Sequence, residues 1–209
     1  MNGVFITFEG GDGSGKSSQA SLLERWLVGD GHTVLRTREP GGTDLGVELR
    51  EIILHRRGYV APRAEALIYA ADRAHHVATV VRPALERGDI VLQDRYIDSS
   101  VAYQGAGRVL DATEIRSLST WATEGLQPAL TVLLDIAPEN ARERLDLSRE
   151  RYDRLEAEEL DFHRRVRDAY LALSQQSPER FLVLDALHSR EDLAAAIRDR
   201  VAVLLANRP

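Results

Sequence analysis

The sequence predicts an α/β fold in which a five-stranded parallel sheet is flanked by helices. Short apolar runs of strand length recur along the 209 residues, and each is followed by a segment that has helical character. The runs are rich in Val, Leu and Ile and lack helical spacing, which is typical of strands that are covered on both faces. The expected strands are residues 4–9, 33–38, 90–94, 130–135 and 180–184.

The expected helices lie between and after these strands. Residues 16–28 form the first, because Ala20, Leu23 and Leu27 recur at helical offsets and a Gly-Asp-Gly stop follows. Residues 190–206 form the last, with the same apolar period. The run 139–167 alternates in charge and is expected to form a solvated pair of helices. Because no repeat, low-complexity tract or linker is visible, we expect one domain over residues 1–209.

Composition limits the classes of partner. The chain has 33 acidic and 27 basic residues, a net charge of -6, and therefore no general basic field that could grip a nucleic-acid polymer. It has no cysteine, which excludes disulfide and thiolate metal chemistry and suits a reducing cytoplasm. The first apolar run is too short for a signal sequence or a membrane span, so we expect a cytoplasmic protein without a membrane partner.

A phosphate-binding loop follows the first expected strand. Residues 10–17 match the GxxxxGK[ST] pattern and open a helix, which is the context that this motif requires. Its backbone N–H groups and the helix N-terminus favour phosphate oxygens, Lys16 would bridge the β- and γ-phosphates of ATP, and Ser17 would bind Mg²⁺. The expected ATP-binding residues are Gly10, Gly11, Asp12, Gly13, Ser14, Gly15, Lys16, Ser17 and Ser18.

Lys16 is the only lysine in the chain, since every other basic residue is arginine. A GTPase of the NKxD type is thereby excluded, because that sequence needs a second lysine. The loop position favours a compact ammonium group over a planar guanidinium, which accounts for the one exception to the arginine bias.

Further motifs lie where a parallel sheet builds its ligand crevice, beyond the carboxyl ends of its strands. They are TREPGGT at 37–43, AADR at 70–73, DRYIDSSVAYQG at 94–105 and DRLE at 153–156. Together with the loop, this combination resembles the thymidylate kinase family, whose members move a phosphoryl group from ATP to dTMP. The resemblance extends to about residue 170.

The resemblance implies a role for each matching position. Tyr69 takes the place of the aromatic ring that stacks on thymine, and Arg73 that of the side chain that binds a base carbonyl. Arg95 corresponds to the arginine that holds the acceptor phosphate, and Tyr103 to the ring that crowds the 2′ position of the sugar. The implied dTMP-binding residues are Arg38, Glu39, Pro40, Tyr69, Arg73, Asp94, Arg95, Ser100, Tyr103 and Gln104.

The resemblance also implies a lid at about residues 142–156. Because Gly13 occupies the loop position where some family members carry a catalytic arginine, the sequence resembles the kind in which the lid supplies it. Lid arginines are Arg142, Arg144, Arg149 and Arg151. The implied catalytic set is Lys16, Arg95, Asp12, Arg149 and Arg151, and the implied metal ligands are Ser17, Asp12 and Glu156.

A phosphate monoester is already anionic near pH 7, so this reaction needs charge neutralisation and alignment instead of a general base. Two alternatives stay open: a kinase for another (deoxy)nucleoside monophosphate or for a nucleoside, and a slow nucleotide-binding regulator. His75 and His76 point apart on a helix and are expected to be solvated or packing residues, not metal ligands. Family members are usually homodimers, and the helices in 64–81 are the expected contact.

Overall fold

The computed structural model describes residues 2–55, 58–147 and 153–207. Five parallel strands form one sheet in the order β2-β3-β1-β4-β5. They are β1 Val4–Glu9, β2 Val34–Arg38, β3 Ile90–Asp94, β4 Leu130–Asp135 and β5 Phe181–Asp185. The predicted class and strand count are confirmed. β2 and β5 each begin one residue later than predicted. Arg180 is the junction before β5: its N–H bonds back to Ser177 O in a turn, while its carbonyl already accepts from Thr131 N of β4.

Helices cover both faces of the sheet. They are α1 Lys16–Gly29, α2 Asp44–His55, α3 Pro62–His76, α4 Arg82–Arg87, α5 Ile97–Ser100, α6 Ala112–Ala122, α7 Pro138–Asp146, α8 Leu160–Gln176 and α9 Arg190–Ala206. The predicted first and last helices are confirmed, and the mixed-charge run forms α7 and the first part of α8. Among the described residues, no helix is both long and apolar enough to cross a bilayer.

The core has two layers, one on each face of the sheet. In β1, Ile6 and Phe8 point toward α1 and α9, whereas Phe5 points toward the opposite layer, which contains α3 and α8. These side chains are almost completely buried. Full burial of one such side chain contributes about 1.5–3 kcal/mol, so this continuous apolar run anchors the sheet.

Two π-helical segments interrupt the helical layer, at Val77–Val81 and Val101–Gly107. The first precedes Pro83, which has no N–H and cannot donate to the carbonyl four residues earlier, so the regular α-helical pattern cannot continue there. The second buries the adjacent side chains of Tyr103 and Gln104.

The strand register places the functional motifs at one edge of the sheet. Phe8 of β1 and Arg38 of β2 are both opposite Asp94 of β3. The phosphate loop, residues 39–43 and residues 95–105 therefore all begin at the same carboxyl edge, where the site is built.

Candidate active site

The phosphate loop connects β1 to α1, and Gly15 caps that helix in the left-handed region with φ 94°. A residue with a Cβ rarely adopts this conformation, which explains the glycine. Lys16 Nζ is buried at the centre of the loop and donates to Gly10 O at 3.0 Å and Gly11 O at 2.8 Å. Since an ammonium group has three donors, one remains for a phosphate. Burial lowers the pKa of Lys16, and the charge of Arg95 lowers it further.

Ser17 and Asp94 provide oxygen atoms next to the loop. Ser17 Oγ donates to Asp94 Oδ2 at 3.0 Å, and the other carboxylate oxygen, Oδ1, is buried without a hydrogen-bond partner among the described residues. Mg²⁺ in kinases is usually held by one or two protein oxygens together with phosphates and waters. The hydroxyl and carboxylate therefore fit a magnesium ion, although the described ranges contain no group of three or more His, Cys, Asp or Glu residues arranged to hold a metal by themselves.

Arg95 lies at the centre of the site and has an unusual backbone. Its φ is 66°, in the left-handed region. Its Nη2 donates to Asp12 Oδ1 at 2.6 Å and to Tyr103 Oη at 3.3 Å, and its Nη1 donates to Ser99 Oγ at 3.3 Å. The guanidinium also lies over the Tyr103 ring, 5.0 Å from its centroid. Despite burial, the charge of Asp12 and its neighbours raises the pKa of Arg95, so it stays cationic.

The acceptor motifs surround a cleft of about 440 Å³, a volume typical of small-ligand sites. Lys16 and Ser17 line its phosphate-loop end, Tyr69 and Arg73 line it from α3, and Arg95 lies against Tyr103 of the second π-helical segment. All ten of the sequence-predicted acceptor residues line the cleft, namely Arg38, Glu39, Pro40, Tyr69, Arg73, Asp94, Arg95, Ser100, Tyr103 and Gln104.

Tyr69 and Arg73 face the cleft from successive turns of α3. Arg73 is 1% exposed; its Nε donates to Glu39 Oε2 at 2.7 Å, and its Nη1 donates to Ser100 Oγ at 3.1 Å. Nη1 also binds the Ser119 hydroxyl and Nη2 the Tyr96 carbonyl, so one Nη2 N–H remains for a ligand. Burial raises the pKa of the Tyr69 hydroxyl, which has no hydrogen-bond partner among the described residues.

Glu39 and Gln104 line the cleft, and hydrogen bonds to other buried side chains fix both of them. The second oxygen of Glu39, Oε1, lies 3.0 Å from Nδ1 of His76, which is completely buried. Gln104 Nε2 donates to Glu65 Oε1 at 2.9 Å, and Glu65 also pairs with Arg108 and Arg154. These partners fix the Glu39 carboxylate and the Gln104 amide nitrogen in the cleft wall.

His76 is thus a packing residue, and the alternative that it is solvated is wrong. Because a carboxylate only accepts, Nδ1 of His76 donates to Glu39, and in the neutral ring Nε2 accepts from Thr37 Oγ1 at 2.7 Å. A Cβ on Gly42 would lie 2.5 Å from this ring, which explains the glycine. His75 is only half-buried.

Sequence reasoning missed one cation of the site, Arg50 on α2. Its Nη1 donates to Pro40 O at 3.0 Å, and it lines the cleft with Arg38 and Arg95. Burial lowers the pKa of Arg50, and the charges of Arg38 and Arg95 contribute in the same direction. Three converging cations favour an anionic group at this end of the cleft. The only signal in the sequence is the position of Arg50 soon after the 37–43 motif.

The lid arginines are only partly described. Arg149 and Arg151 lie outside the described residues. Arg144 of α7 lines the cleft and donates to Ala186 O at 2.9 Å. Arg142 lies instead at a smaller cavity, of about 40 Å³, which also borders Asp12, Glu156 and His163.

Glu156 accepts the backbone N–H of Asp153, and Asp153 accepts those of Leu155 and Glu156. Asp12 borders both the small cavity and the cleft, whereas Glu156 borders only the small cavity and Ser17, which bonds to Asp94, borders only the cleft.

Comparison with known proteins adds independent information. The family model described as Thymidylate kinase matches residues 8–197. A protein named Thymidylate kinase from Leifsonia xyli subsp. xyli is 71% identical over 199 residues, which is 95% of this chain and 94% of the relative. A second, from Clavibacter michiganensis subsp. michiganensis, is 68% identical over 99% of this chain and 98% of its own length. A third, from Cutibacterium acnes, is 50% identical over 98% and 99%, respectively.

Proposed function

The chain belongs to the thymidylate kinase family, and from this premise we propose that it transfers the γ-phosphoryl group of ATP to dTMP, giving dTDP and ADP. The observation that carries the proposal is the cleft, which runs from the phosphate loop at Lys16 to the buried aromatic and arginine pair Tyr69 and Arg73. A nucleoside monophosphate needs both ends, because its phosphate must meet the loop while its base is bound.

The base lies against Tyr69, and the remaining N–H of Arg73 donates to a thymine carbonyl. Glu39, held by His76, fixes the Arg73 guanidinium in the plane that this contact requires. The Tyr103 hydroxyl lies 3.3 Å from both Arg95 Nη2 and Asp12 Oδ2, and there it limits the space beside the sugar. These assignments are supported by the motif positions and by the lining of the cleft.

Phosphoryl transfer takes place where the γ-phosphate of ATP meets the phosphate of dTMP. An anionic oxygen of dTMP attacks the γ-phosphorus in line, a new O–P bond forms, and the bond to the β,γ-bridging oxygen breaks, leaving that oxygen on ADP. Lys16 neutralises the β- and γ-phosphates, while Arg95, Arg38 and Arg50 neutralise and orient the acceptor. Alignment and charge neutralisation are the catalytic terms, since no proton has to be removed first.

A magnesium ion would bind beside the ATP phosphates. Ser17 and Asp94 are the residues that would hold it, and when bound it neutralises charge on the β- and γ-phosphates. Asp12 and Glu156 stay proposed contributors through the small cavity that they share. Arg149 and Arg151 are proposed to reach the transferring group from the lid at 142–156.

The test is an ADP-release assay with a panel of nucleoside monophosphates and nucleosides. We expect dTMP to stimulate ADP release above every other acceptor. Preference for another acceptor would favour the kinase alternative, whereas ATP turnover without any acceptor effect would favour a slow nucleotide-binding regulator. Arg95→Ala is expected to abolish transfer with a native circular dichroism spectrum.

The proposal includes the organisation of the chain. One kinase domain over residues 1–209 acts in the cytoplasm as a homodimer, with contacts from residues 64–81. The exposed side chain of Leu67 on α3 supports this choice of surface. Sedimentation of the wild type against Leu67→Arg tests it, and a monomeric wild type would contradict it.

A further inference from the structure

Glu9, the last residue of β1, is a completely buried carboxylate that the reaction described above does not use. It accepts three hydrogen bonds: Tyr96 N at 2.8 Å on Oε1, and Ser99 Oγ at 2.6 Å and Tyr170 Oη at 2.8 Å on Oε2. Burial and the nearby charge of Asp98 raise the pKa of Glu9 to about 6, so most of the group is ionised above that pH. A buried charge with three donors is costly to place and is expected to serve a purpose.

Two donors of Glu9, Tyr96 and Ser99, closely follow the strained residue Arg95 in the chain. The left-handed backbone of a non-glycine residue costs about 1–2 kcal/mol and persists only where the surroundings fix it. Three bonds do so: Arg95 N to Phe8 O at 3.0 Å, Gln93 Nε2 to Arg95 O at 2.9 Å, and Tyr96 N to Glu9. Glu9 and Gln93 together fix the peptide group between Arg95 and Tyr96, Glu9 through its N–H and Gln93 through its carbonyl.

A second route reaches the guanidinium. Arg95 Nη1 donates to Ser99 Oγ, and the same hydroxyl donates to Glu9 Oε2. Consecutive hydrogen bonds that end on a carboxylate polarise one another, which strengthens the hold on the arginine.

We propose that Glu9 is the positioning residue for Arg95: it fixes the arginine backbone through the Tyr96 N–H and the guanidinium through the Ser99 hydroxyl, so that Arg95 is aimed at the acceptor phosphate. The proposal rests on the proposed function, because it takes the phosphate of dTMP as the anion that Arg95 meets. Glu9 itself contacts no substrate and acts only through its partners.

The experiment measures binding without turnover. Calorimetric titration of the full chain with dTMP and with thymidine gives the ratio of the two Kd values, which isolates the contribution of the phosphate. In Glu9→Gln, which keeps the shape but loses the charge, we expect this ratio to fall about tenfold while the Kd of thymidine stays within about twofold. The control is Thr7→Val on the same strand, which loses the buried bond to Thr131 and is expected to keep the wild-type ratio.

Ser99→Ala removes only the second route and is expected to lower the ratio about threefold, which keeps the proposal falsifiable if Glu9→Gln does not fold. An unchanged ratio in a folded Glu9→Gln or Ser99→Ala protein overturns the proposal, as does equal weakening of both ligands. Failure of the proposed function has a different signature, because the wild type would then release no ADP in response to dTMP.

Discussion

Arg95 Nη2 lies 2.6 Å from Asp12 Oδ1, so the arginine proposed to hold the acceptor phosphate is paired with an acid of the phosphate loop. The two residues are 83 positions apart in the chain, one in the phosphate loop and the other directly after β3. The Tyr103 hydroxyl lies 3.3 Å from both of them. An incoming phosphate therefore competes with Asp12 for Arg95, and the donor and acceptor halves of the site are coupled through this one ion pair.

Asp12→Asn is expected to separate binding from catalysis. Without the carboxylate charge Arg95 is freer to bind the acceptor, so KM for dTMP stays the same or falls, while kcat falls about 10–100-fold because the loop loses its aligning charge. Steady-state kinetics with each substrate varied provides the measurement. A raised KM for dTMP with an unchanged kcat would show that Asp12 acts only in acceptor binding.

Lys16→Arg tests why the chain keeps its single lysine. Lys16 is 6% exposed and already donates to two loop carbonyls, so a planar and bulkier guanidinium has no room to repeat this geometry. We expect kcat to fall about 10²–10³-fold with a native circular dichroism spectrum. Near-wild-type kcat in this variant would mean that the lysine reflects chance and not the geometry of the loop.

Tyr103→Phe tests the sugar contact. The variant removes the hydroxyl that bonds to Arg95 and Asp12 but keeps the ring, which packs edge-on against Phe162 and Tyr170. With more space beside the sugar, the preference for dTMP over the ribonucleotide, measured as a ratio of kcat/KM, is expected to fall about tenfold. An unchanged ratio would remove Tyr103 from sugar selection.

Much of the fold could be predicted because its signals are local. The apolar runs that became β1, β3 and β4 are bounded as predicted, and the glycine-rich loop between β1 and α1 carries its own pattern. Local spacing does not report strand neighbours or the π-helical turn at Val101–Gly107, because both depend on packing between distant elements.

The site residues also divide into those that sequence motifs predict and those that depend on contacts between distant parts of the chain. Residues within motifs, such as Tyr69 and Arg95, could be placed at one cleft from the sequence. Arg50 and Glu9 could not be placed from the sequence. Arg50 reaches the cleft because the chain turns back after Pro40, whose carbonyl it binds. The hydrogen-bond partners of Glu9 are 87 or more positions away. His76 was predicted only as solvated or packing, because its pairing with Glu39 requires the end of β2 to meet the end of α3.

Asp72→Asn tests a pH dependence of stability. Burial and the charge of Glu39 raise the pKa of Asp72 from 3.8 to about 6. The folded state therefore binds this proton more tightly than the unfolded state, and the stability from Asp72 is complete below about pH 4 and lost as pH rises through about 6. As pH rises from 4 to 8, the free energy of unfolding of the variant minus that of the wild type is expected to increase by on the order of 1–3 kcal/mol.

Urea unfolding at several pH values measures this difference. Asp111→Asn is the matched control, because backbone N–H groups of Thr113 and Glu114 lower the pKa of Asp111 and its contribution has the opposite sign, lost as pH falls. Parallel pH profiles for the wild type and Asp72→Asn would show that folding does not raise the pKa of Asp72.

Gly13→Ala tests whether contact with the phosphate loop fixes the position of α7, the helix that leads into the lid. Gly13 has φ 79°, and a Cβ there would lie 2.8 Å from Ala141 O of α7, so the substitution combines backbone strain with a clash against the helix that leads into the lid. We expect the free energy of unfolding to fall by about 1–3 kcal/mol and kcat to fall with it, because α7 must move away from the loop. Gly11→Ala is the control, since a Cβ at Gly11 meets nothing within 4 Å. Equal losses in the two variants would assign the effect to the loop backbone and not to its contact with α7.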